Sequence, residues 1–95
     1  MNVDELTQLA VDALDDLKAV DIRVIDVRGK SNVTDVMVVA TGTSTRHVKS
    51  LANNVVDKMK ESGGRPLGIE GEDVGEWVLV DLADVVVDYL LNGEF

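Results

Sequence analysis

Leu6, Leu9, Ala10, Ala13, Leu14 and Leu17 fall at i, i+3, i+4, i+7, i+8 and i+11, the spacing of one helical face. They predict an α-helix over residues 4–19, with Asp4 and Glu5 in the first turn, where the helix dipole favours negative charge. The pattern then changes period. Ile22-Arg23-Val24-Ile25-Asp26-Val27 is short and β-branched, and Asp35 to Thr41 is a second strand-like run beyond a polar, Gly-bearing turn, so the two predict a β-hairpin. Gly42-Thr43-Ser44 supplies a break and an N-cap for a second helix, whose apolar positions are Val48, Leu51, Ala52, Val55, Val56 and Met59. Gly63-Gly64 ends that helix and Pro66 prevents its continuation. Residues 67–70, 76–82 and 85–90 read as three further strands, with turns at 71–75 and at Ala83-Asp84.

The order α-β-β-α-β-β-β predicts an α/β (α+β) fold, a single domain over residues 1–95 with a mixed sheet of about five strands. With both helices on one face of the sheet, the other face is left open. Alternation assigns residues to the two faces of the strand at 76–82. Val78, Val80 and Leu82 form an all-aliphatic set suited to the core under the helices. Trp77, Leu79 and Asp81 point the other way, a mixture closer to an interface patch than to a core. The competing placement puts Trp77 at an edge of the core.

Composition narrows the chemistry. The 95 residues contain no cysteine and one histidine, His47, which excludes a disulfide framework, a thiolate metal site and a multi-histidine centre. No apolar run approaches the length of a membrane span, and the acidic N-terminus is unlike a signal peptide, so a cytoplasmic location is expected. The net charge of −9 argues against direct grip on a nucleic-acid backbone. Residues 67–95 carry eight acids and no Lys or Arg, either for solubility or as a surface that selects a basic protein partner.

No active site assembles from the residues. Thr43, Ser44 and Arg46, between a strand and a helix, form a candidate anion site, but a helix cap accounts for the same residues. Asp81 and Asp84 with Glu70 and Glu72 could in principle hold a divalent ion; acids at strand ends are commonly just solvated. An alternative function is a small phosphate- or nucleotide-handling enzyme built on the loop from Gly42 to His47. Nucleotidyl transfer on such a loop needs an Asp-x-Asp pair soon after it, and between Ser44 and Glu61 the chain has only Asp57. The expectation is a non-enzyme with no cofactor and no metal.

Three long segments, "TDVMVVATGTSTRHV", "PLGIEG" and "EWVLVDLADVVV", occur in that order, and the region from Asp16 to Val87 resembles the ribosomal silencing factor (RsfS or Iojap) family. The resemblance implies a nucleotidyltransferase-like fold without its catalytic residues. It also implies a translation repressor that binds the fourteenth protein of the large ribosomal subunit and blocks subunit joining, and it allows a homodimer. Carried onto this chain, the partner-binding residues are Trp77 as apolar anchor, Leu79 and Asp81 on its face, and Glu70, Glu72 and Asp84 as an acidic ring. The C-terminus departs from the family: Asp88 stands where members usually have His, and the ending Leu91-Asn92-Gly93-Glu94-Phe95 reads as truncated or altered.

Overall fold

A computed structural model describes residues 2–30, 34–71 and 77–91 of the chain. Helix α1 (Val3–Asp16) starts on Asn2, whose side chain accepts the Glu5 backbone N–H. It stops short of the expected residue 19: Leu17 caps it and Lys18 takes a positive φ of 57°. Leu17, the last member of the apolar stripe, thereby falls outside the helix and is exposed. Strands β1 (Asp21–Asp26) and β2 (Val36–Gly42) pair antiparallel, as the hairpin expectation required. Helix α2 (Thr45–Glu61) is capped by Ser44, whose side chain accepts the His47 backbone N–H, and ends at Ser62 before Gly63 at φ +87°. Strands β3 (Gly68–Glu70), β4 (Trp77–Asp81) and β5 (Val85–Leu91) are the remaining described elements.

The five strands form one mixed sheet in the order β1-β2-β5-β4-β3. Only β2 and β5 are parallel neighbours; the other pairs are antiparallel. The last strand is thus inserted beside β2, and β3, which follows the crossover helix, lies at the far edge. Thr34 fastens this arrangement from below, with its hydroxyl 2.7 Å from the Asp84 carbonyl, which also accepts the N–H groups of Asp35 and Val36.

Both helices cover one face. Leu6, Ala10, Ala13 and Leu14 of α1 and all six predicted apolar positions of α2 are buried against Val36, Val38 and Ala40, Val78 and Val80, and Val85, Val87 and Tyr89. Valine and leucine supply most of this core, with alanines where the elements approach closely. Tyr89, its one aromatic, is wholly buried, and its hydroxyl has no hydrogen-bond partner among the described residues. Burial alone pushes its ionisation well above the ordinary tyrosine range. No described helix is long and apolar enough to cross a membrane.

Candidate interaction face of the sheet

Directly paired residues on neighbouring strands point to the same side of a sheet. The register therefore writes out the face opposite the helices in three rows. Ile25, Met37, Val86, Asp81 and Gly68 form the first, and Arg23, Val39, Asp88, Leu79 and Glu70 the second. The third is Asp21, Thr41, Leu90 and Trp77. No described helix packs on this side, although Val86 and Thr41 are themselves buried among their neighbours in the sheet. Aliphatic and thioether side chains fill the middle of the face, and charged ones lie mostly at its edges.

Trp77 lies on this open face and is 44% exposed, whereas Val78 and Val80 beside it are fully buried. The alternation within β4 thus places Trp77 away from the core, as the aliphatic set required. Gly71 sits against the indole: at φ +80°, a Cβ built on it would come within 2.5 Å of the Trp77 carbonyl oxygen and 2.9 Å of ring atom Cε3. A side chain at residue 71 would displace the strand or the ring, and the positive φ itself favours glycine.

The other expected binding residues divide. Leu79 and Glu70 face each other across β4 and β3 in the central row, and Asp81 shares the face one row away. Part of Asp81 is engaged internally, because Oδ1 accepts the Ala83 N–H at 2.8 Å and holds the tight turn in which Ala83 has φ 76°. Asp84 is not on the face; it lies in that turn, at the end of the sheet, exposed and beside Leu82 and Met59. Glu72 lies outside the described residues.

Asp88 occupies the centre of the face, between Val39 and Leu79. Desolvation by burial raises its carboxyl above the ordinary 3.8, and no cation lies within ion-pair distance of it among the described residues. The signal was present in the sequence, since Val86, Asp88 and Leu90 alternate with the core set Val85, Val87 and Tyr89. Arg23, two strands away, is already paired with Asp21 at 2.9 Å.

The loop expected as a candidate anion site is internally occupied. Ser44 Oγ accepts the His47 N–H at 3.1 Å, and His47 Nδ1 accepts the Thr43 N–H at 2.9 Å. That bond places the imidazole proton on Nε2, which donates to the Leu17 carbonyl at 2.8 Å. Thr43 Oγ1 stands 3.2 Å from the same Nδ1, and Arg46 is exposed. The residues around α2's start thus join the end of α1 to the β2–α2 loop, a role invisible from the cap motif alone. Among the described residues no three His, Asp or Glu side chains stand close enough together to hold a metal ion.

Residues 1–94 match the family model described as "Ribosomal silencing factor during starvation". The chain is 47% identical over 91 residues to the ribosomal silencing factor RsfS of Chromobacterium violaceum, covering 96% of this chain and 75% of that protein. It is 42% identical to RsfS of Haemophilus influenzae, covering 86% of this chain and 80% of the relative. A crystal structure of a Chromobacterium violaceum protein superposes with a TM-score of 0.93 at 47% identity, over 96% of this chain and 76% of the other.

Proposed function

The chain belongs to the ribosomal silencing factor family, and from that premise we propose that it represses translation by docking the open face of its sheet on the fourteenth protein of the large ribosomal subunit. Family membership makes it a ribosome-associated translation regulator. The finer reading adds the partner, the surface and the consequence: a large subunit carrying this protein cannot join a small one. The site of action is the cytoplasm, where the subunits meet.

One observation carries the choice of surface. A large aromatic, 44% exposed, stands among aliphatic side chains on a sheet face that no described helix covers. Exposed aromatics ringed by apolar and then charged groups are the usual anchors of protein interfaces. The acids of this face, Glu70, Asp81 and Asp88, suit a basic ribosomal protein and oppose the phosphates of the surrounding RNA.

Subunit joining tests the reading directly. Large subunits incubated with saturating protein and then mixed with small subunits should stay separate by light scattering and in sucrose gradients. Unimpeded joining at saturation would refute the repressor role.

A further inference from the structure

We propose that Asp88 and Trp77 together form a seat for one arginine side chain of the docked partner. The inference rests on the docking reading above and adds the chemistry of its central contact.

Asp88 is flanked across the strands by Val39 and Leu79, and along its own strand by Val86 and Leu90. The charged groups that share its face stand apart from it. Arg23 is two strands away on β1 and held by Asp21, Glu70 is two strands away on β3, and Asp81 lies one row along on β4. A half-buried carboxylate without a cation is unfavourable for the isolated fold, and the raised carboxyl of Asp88 reflects that. A partner cation would remove the penalty at the moment the face is covered.

The neighbouring indole selects the kind of cation. Asp88 lies directly opposite Leu79, so Trp77, two residues before Leu79, is its diagonal neighbour across the β4–β5 pair. Diagonal neighbours are about 7–8 Å apart, within the reach of long side chains. A guanidinium can lie over the indole face and direct its N–H fork at the carboxylate. A lysine ammonium is compact and strongly hydrated, and it uses only part of this arrangement. RNA would present phosphates to Asp88, and a second copy of this chain would bring the same acids of the face against one another, so a protein arginine is the occupant that complements both groups.

The test is equilibrium binding of the full chain to purified large subunits, and to the isolated fourteenth protein, for wild type, Asp88→Asn, Trp77→Ala, Trp77→Phe and the double variant Trp77→Ala/Asp88→Asn. Asp88→Asn should weaken binding about tenfold or more, as loss of a close charge pair does at an interface. Its melting temperature at neutral pH should be no lower than wild type, which a merely structural aspartate would not show. Trp77→Phe should retain most of the binding lost in Trp77→Ala. The double variant should lose less than the product of the two single losses, because both groups hold one side chain. Replacing one exposed arginine of the fourteenth protein by Met should abolish the difference between wild type and Asp88→Asn. Binding of Asp88→Asn within twofold of wild type, alongside a loss in Trp77→Ala, would overturn the arginine seat and leave the docking reading standing. So would an Asp88 effect confined to self-association. No binding by wild type would overturn the docking reading itself.

Discussion

Trp77, the anchor of the proposed docking, is held at the surface by its own strand. Its ring is little more than half covered, and Gly71 supplies part of that cover. Trp77→Ala should therefore lower stability by about 1 kcal/mol, well short of the roughly 3–5 kcal/mol that follows truncation of a core aromatic. Large-subunit binding should weaken by about 2 kcal/mol or more, roughly thirtyfold. Denaturant unfolding and equilibrium binding on the same variant separate the two effects, and a large fall in stability would show the ring to be core. Asp88 makes the complementary prediction. Because burial raises its folded carboxyl above the ordinary 3.8, the native state binds more protons than the unfolded one between the two values, and stability falls as pH rises through that interval. Its contribution is then unfavourable at neutral pH and fades as pH falls into the acid range. Asp88→Asn should raise the melting temperature at pH 7, and the gain over wild type should vanish near pH 3. A variant less stable than wild type at pH 7 would show that the carboxylate has a stabilising partner.

The two helices and the strand alternation were legible in the chain because each depends on periodicity within a few residues. Val78 and Val80 against Trp77 and Leu79 needed only a period of two. The insertion of β5 between β2 and β4 was not legible, since pairing between residues about fifty positions apart leaves no local signature. That insertion is what moves Asp88 to the middle of the face and Asp84 away from it. The end of α1 was overestimated for a similar reason: Leu17 continues the apolar stripe, but its carbonyl is taken by His47 of α2. His47 and Asn54, which donates to the Ala13 carbonyl at 2.6 Å, tie the last turn of α1 to its neighbour. His47→Ala removes two bonds of that tie, to Leu17 and to Thr43, and should cost about 1–2 kcal/mol. Amide exchange should accelerate at the end of α1 and leave β4 and β5 protected. Unchanged exchange there would mean that helix packing alone holds the junction.

At the scale of the whole molecule, the net charge of −9 is spread over both sides of the sheet. Glu5, Asp12, Asp15 and Asp16 line the cleft between the helices, and Glu70 lies on the open face. If that face meets a basic protein, Glu70→Lys should slow association with large subunits severalfold at low salt. Asp12→Lys, on the helix side, should change it much less. The difference should shrink at and above 0.15 M salt, where screening acts over about 8 Å. Equal effects of the two reversals would indicate that only total charge matters. The most direct measurement of the central claim is binding of this protein to large subunits that contain or lack their fourteenth protein. Binding should be strong to the first and lost with the second; binding that persists unchanged when that protein is absent would contradict the docking reading.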